Sequence, residues 1–177
     1  MKSIAMQSKE WIVNSFFDLL YVKPLNSITI SEITQNAELD RRTFYRHFKT
    51  KEDIINCYIH EAAKSYEEVM RENQSIDNKS IAQTFFEVCF KHKKILTILY
   101  KQNLLHLLLS ELNIIFTKYQ QEFASQEELQ MKNREYFLAY NIGGFWNLLI
   151  KWLTDDCQKS PEQLAEIVEQ LFLFQQI

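Results

Sequence analysis

Apolar residues recur three and four positions apart along nearly the whole chain, the spacing of one buried helix face. Trp11, Phe16, Leu19 and Leu20 set that rhythm in a first segment, predicted to be helical over 4–21 and closed before Pro24. Helix starts are marked by Ser or Thr followed three residues later by an acid or amide, a pairing that satisfies the free amides of a first turn. Thr29 with Glu32, Thr50 with Asp53, Ser80 with Gln83, Ser125 with Glu128 and Ser160 with Gln163 fit, the last with Pro161 at the favoured first helical position. These marks and the apolar period predict further helices over 31–36, 41–48 behind an Asp40 cap, 51–70, 80–91, 94–101, 104–123, 127–155 and 161–175. The polar run 71–79 has no periodic apolar face and reads as a connection.

Composition narrows the class. Two glycines and two prolines in 177 residues are too few for the tight turns of a sheet protein, so the expected fold is all-α, with about nine helices. The same scarcity excludes glycine-rich loops that cradle phosphates, which need residues without Cβ where the backbone nears the ligand, and no cofactor is called for. Three cysteines, odd in number and widely spaced, fit reduced thiols better than a disulfide framework. The opening MKSIAMQSKEW has no apolar export core, and no run of about 18 apolar residues follows, so a cytoplasmic protein without a membrane span is expected.

The net charge of −3 changes meaning once it is divided along the chain. Residues 1–51 hold eight Lys/Arg and five Asp/Glu, net +3, whereas residues 52–177 hold twelve and eighteen, net −6. Arg41, Arg42, Arg46, Lys49 and Lys51 accompany His47 in one stretch without an acid, a local patch suited to phosphate. Winding 41–48 as a helix puts Phe44 and Phe48 on a packed side and Arg42, Thr43, Tyr45 and Arg46 outward or flanking, with Arg41 and His47 at the edges. Arginines in that position bond guanine edges or phosphates bidentately. A short capped helix, a three-residue turn and a basic helix make the order of a helix-turn-helix, whose second helix enters the major groove of double-stranded DNA. That context argues against a basic helix that merely solvates its outer face. Lys51 and the amides opening the next helix are further candidates for phosphate, as is Thr29 at the start of helix 31–36. The expected division is a helix-turn-helix head over 1–50 and a helical body over 51–177, joined by helix 51–70.

The segment ITISEITQNAELDRRTFYRHFKTKEDII resembles the DNA-binding domain of the TetR/AcrR family of transcription regulators. Pro24, Ile28-Thr29, the Ile30/Ile33/Ala37 packing pattern, the run Thr43-Phe44-Tyr45-Arg46-His47-Phe48 and Lys51-Glu52-Asp53 carry the likeness, which covers roughly residues 10–60. The resemblance implies phosphate contacts at Thr29, Tyr45, His47 and Lys51, and base readers among Arg41, Arg42, Thr43 and Arg46. It departs at the turn, where the family usually has Ala-Gly-Val-Ser and this chain has Ala37-Glu38-Leu39-Asp40. Glu38 must then accept whatever backbone conformation the glycine serves.

In the body, the resemblance implies a homodimer built from the last two helices. Gly143 and Gly144 mark either a close helix crossing or a plain kink, and Phe145, Trp146, Leu149, Trp152 and Leu153 either line the interface or fill the core, as do Leu164 and Leu171. Phe86, Phe90, Leu99, Tyr100, His106, Phe116, Tyr119 and Tyr140 either surround a small-molecule effector pocket or simply pack. Cys57-x-x-His60 and Cys89-x-x-His92 lack the two further ligands of a closed zinc site, and no catalytic motif stands out. The expected function is a dimeric, sequence-specific regulator on a palindromic operator, acting as a repressor released by a small-molecule effector. The alternative is a constitutively DNA-bound adaptor or coactivator that recruits a protein through its body.

Overall fold

The structure is a computed structural model and describes residues 4–72, 77–123 and 132–174. Its helices are α1 (Ile4–Val22), α2 (Ile30–Asn36), α3 (Arg41–His47), α4 (Glu52–Glu72), α5 (Asn78–Lys91), α6 (Lys93–Lys101), α7 (His106–Phe123), α8 (Arg134–Thr154) and α9 (Pro161–Phe174), with a 3-10 turn at Leu25–Ser27. No strand occurs among the described residues.

The caps at Thr29, Asp40, Thr50 and Ser160 form as their spacing predicts. Two predicted boundaries move. Helix α5 starts ahead of Ser80, because Asp77 is its cap and takes the Ser80 amide at 2.8 Å. Asp77 does the same job one turn earlier and carries a charge that suits a helix N-terminus. The predicted helix over 127–155 does not run unbroken: Asn133 stands at φ 66°, a left-handed conformation no α-helix passes through, and α8 begins at Arg134. The Ser125 and Glu128 pair lies outside the described residues.

Helix ends explain how a chain so poor in glycine still turns. After α2, α6 and α8 the first residue past the cap is left-handed, and the next amide reaches back to a carbonyl five residues earlier: Leu39 to Thr34, Leu104 to Leu99, Cys157 to Trp152. Glycine normally fills the left-handed position; here Glu38, Asn103 and Asp156 do. Glu38 has φ 55° inside the helix-turn-helix, where a Cβ is unfavourable. Glu38→Gly is therefore expected to stabilise the protein by roughly 0.5–1 kcal/mol net of the glycine's chain entropy, read as a higher urea midpoint. A lower midpoint would mean that the turn holds Glu38 without strain.

Helices α1 to α3 close the head around Phe16, Ile33 and Phe44, all fully buried, and the Ser15 hydroxyl bonds the Ile33 carbonyl at 2.7 Å. In the body α9 lies along α5, while at the centre Phe85 meets Phe86 and Phe145 edge-on and those two stack on each other. Helix α4 leaves the head and packs on α5 and α7. It is not the sole link: α6 touches α1, where Gln102 donates to the Leu20 carbonyl at 2.9 Å, and Tyr58 of α4 bridges Phe17 of α1 and His92. One continuous buried cluster runs through head and body.

Candidate nucleic-acid interface

Helix α3 is short and depends on its neighbours. Asp40 caps it by accepting the Thr43 amide at 2.6 Å, and that bond holds its carboxyl below the ordinary aspartate range, so the turn keeps a negative charge at neutral pH. Phe44 is wholly buried and Phe48 nearly so, which anchors one side of α3. Arg41, Arg42, Tyr45 and Arg46 are exposed on the other, and Thr43 is half-buried between the two. The predicted division into packed and presented faces is therefore present. Arg41 reaches the Tyr45 hydroxyl at 3.4 Å, a long contact that leaves most guanidinium donors unused.

The flanking residues are more committed than their types suggest. Thr29 both accepts the Glu32 amide at 3.2 Å and donates to the Glu32 carboxylate at 2.9 Å, so its hydroxyl is engaged. Glu32 is pulled down to about 2, first by Lys23 and then by the Thr29 amide and hydroxyl, and is fully ionised at neutral pH. At the start of α4, Asp53 accepts the Lys49 and Thr50 amides at 2.9 Å each, so those amides are not open to phosphate. Lys51 donates to the carbonyls of Leu25 at 2.6 Å and Ile28 at 3.0 Å, clamping the 3-10 turn and the extended Ile28 ahead of α2 against α4. One ammonium N–H remains. Lys51→Met is expected to cost about 1.5–3 kcal/mol in urea unfolding without any DNA present, because two charge-assisted bonds to partly buried carbonyls are lost. An unchanged midpoint would assign the lysine to DNA alone.

His47 is half-buried and turned to α1, where its Nε2 lies 2.9 Å from the Ser8 hydroxyl. Arg46 approaches the same oxygen at 3.5 Å. Burial first, then Arg46 and Lys9, holds the His47 ring below its ordinary pKa. Nothing in the spacing of the sequence singled out Ser8, an unremarkable polar residue 39 positions from its partner.

In the body the structure does not gather the described candidate residues into one pocket. Phe86 is in the core, Phe90 is 45% exposed beside Trp152 and under the Lys93 ammonium, and His106 is exposed. Leu99 is buried, Tyr100 half-buried, and the side chains of Phe116 and Tyr119 lie outside the described residues. Tyr140 instead lines an open apolar groove of about 530 Å³ along α8 and α9 with Gly143, Gly144, Leu148, Val168 and Leu171. A Cβ on either glycine would meet no atom within 4 Å, so neither serves a helix crossing inside the protomer, and neither has positive φ. Trp152 and Leu164, read as interface candidates, are buried within the protomer, with the Trp152 indole donating to the Lys159 carbonyl at 2.9 Å. No described helix is long and apolar enough to cross a membrane.

Residues 17–56 match the model described as bacterial regulatory proteins, tetR family. Residues 77–173, more than half the chain, match a second model of that family, described as transcriptional regulator C-terminal region. The chain belongs to the TetR family. This TetR-family protein is a DNA-binding transcriptional regulator and not an enzyme. Its fold is shared by FadR from Bacillus subtilis in complex with stearoyl-CoA, at 19% identity and TM-score 0.63 over 92% of this chain and 96% of that one. A TetR/AcrR-family regulator from Aquifex aeolicus matches at 21% identity and TM-score 0.68 over 94% and 99%. Lin0861 from Listeria innocua matches at 13% and 0.73 over 96% and 91%. No curated protein matches in sequence.

Proposed function

We propose that the protein is a homodimer whose two α3 helices read a palindromic operator in successive major grooves, about 34–36 Å apart, and that an effector in the body releases it. The observation that carries the DNA reading is α3 itself: a fixed helix, pinned by Phe44 and Phe48, that presents Arg41, Arg42, Tyr45 and Arg46 to solvent. Arg42 and Thr43 are assigned to base edges, with Arg41 and Arg46 between bases and backbone. Tyr45, His47 and the remaining Lys51 donor are assigned to phosphates. Thr29 joins them only if its hydroxyl leaves Glu32.

Support for the dimer comes from the α8/α9 groove, where Tyr140 is 63% exposed and Leu171 47%, beside two glycines with open space above them, with Tyr136, 70% exposed, one turn earlier on α8. Large apolar side chains grouped around such a groove suit a second copy of the same helices. An effector acting on the body has two routes to the head, along α4 and through the α6–α1 contact. Because one relative of this fold holds stearoyl-CoA, long-chain acyl-CoA thioesters are the first effector class to screen.

Selection from a random-sequence duplex pool at low salt tests the operator reading. Enrichment of an inverted repeat supports it, and Arg42→Ala should then lose roughly 1–3 kcal/mol at particular base pairs. A pool that returns no symmetric sequence would count against a dimeric reader. A body that captures a protein in pull-downs and shifts with no small molecule would favour the adaptor reading.

A further inference from the structure

Ser8 sits in α1, 3% exposed, beneath the C-terminal end of the recognition helix. Its Oγ donates to the Ala5 carbonyl at 3.0 Å, the back-bond open to a helical serine. A hydroxyl has one proton and two lone pairs. With the proton on Ala5, the lone pairs meet Nε2 of His47 at 2.9 Å and Nη2 of Arg46 at 3.5 Å, both as acceptors. That arrangement puts the neutral ring's proton on Nε2 and makes Nδ1 the ring atom left for a ligand. It also ties two residues of α3 to one point on α1, 38 and 39 positions away in sequence.

We propose that Ser8 is a positioning residue for DNA binding: its buried hydroxyl holds the His47 ring by Nε2, so that Nδ1 faces the phosphate backbone and donates to it once the ring is protonated. The inference rests on the DNA reading of α3. The charged groups facing the ring are Lys9 from α1, itself 3.6 Å from Glu61 of α4, and Arg46 from α3. Burial and then those two cations disfavour the charged form of the free ring, whereas a phosphate oxygen beside it favours the imidazolium. Binding then takes up a proton, and affinity rises as pH falls.

Three measurements on the full chain test this. Long-range nitrogen–proton NMR of the DNA-free protein should show His47 as the Nε2–H tautomer, and Ser8→Ala should give a mixture; an Nδ1–H ring in the wild-type protein overturns the proposal. Fluorescence anisotropy with a labelled duplex enriched from a random-sequence pool should show Ser8→Ala binding about fivefold more weakly, the size of one net hydrogen bond, at an unchanged melting temperature. In a His47→Asn background the same substitution should cost nothing further, and the gain in affinity from about pH 8 to about pH 6 should shrink. Equal losses in both backgrounds would make Ser8 a packing residue and overturn the proposal. Should Ser8→Ala melt early, Ser8→Thr, which keeps the hydroxyl, must restore binding. A wild-type chain that binds no duplex at low salt overturns the DNA reading as well, whereas normal wild-type binding with an unaffected Ser8→Ala overturns this inference alone.

Discussion

Phe44→Ala should lower the stability of the folded chain by about 3–5 kcal/mol, the usual cost of emptying a fully buried aromatic site. Phe44 has no exposed surface and meets Phe48 at 6.0 Å and Tyr45 edge-on at 5.5 Å between ring centres. The long α1 and the short α2 and α3 enclose it, so the head has little means of collapsing onto the void. Against a total stability of about 5–15 kcal/mol for an ordinary domain, that loss is a large share. The urea midpoint should fall steeply, and duplex binding should fall with it because α3 loses its anchor. Tyr45→Ala is the informative partner: Tyr45 adjoins Phe44 in sequence but is 51% exposed. It should weaken duplex binding while leaving the midpoint within the small range of surface substitutions, about 0.5 kcal/mol. If both variants shifted stability equally, the division of α3 into an anchored and a presented face would be wrong.

The double substitution Tyr140→Asp with Leu171→Asp should turn the proposed dimer into a monomer. Both side chains are exposed in the protomer, 63% and 47%, so the monomer's own fold should tolerate the change. In a dimer closed over the α8/α9 groove, each carboxylate would be taken from water into an apolar interface without a partner. Uncompensated buried charge of that kind costs about 3–5 kcal/mol, or more than a hundredfold in the dimerisation constant. Two-fold symmetry places every substitution on both sides of the interface, which enlarges the effect. Sedimentation equilibrium at micromolar protein should report a mass near 21.3 kDa for the variant and twice that for the parent. Binding to an inverted repeat should drop by a further large factor, since the second head no longer arrives at the effective concentration set by its partner. A variant that stays dimeric would move the interface to another face.

Local chemistry made much of this legible beforehand. Thr29 with Glu32 and Asp40 with the Thr43 amide are contacts within three residues, and such pairs form wherever the chain turns into a helix, whatever lies beyond. Phe44 and Phe48 share a face by the helical period alone. The helix-turn-helix could thus be read from about thirty residues, as could the resemblance it supports. Local spacing does not fix the start of α5, because Asp77 and Ser80 are both competent caps and only the structure shows Asp77 taking the Ser80 amide.

Whatever depended on distant partners was decided only by the tertiary structure. Trp152 and Tyr140 lie on the same helix and look alike as aromatic candidates, yet one is buried in the protomer core and the other opens onto the groove, according to which face α8 turns toward α6, α7 and the phenylalanines of α5. Lys51 reads as a free phosphate ligand until two carbonyls 26 and 23 positions away take two of its three donors. His47 reads as an edge contact until Ser8 of α1 claims Nε2. By itself the sequence determined the helices, the cap chemistry and the basic face of α3, since these rest on neighbours within one or two turns. The tertiary packing decided which of those side chains remain free to meet DNA or a second copy, since freedom is what is left after every long-range partner has been satisfied.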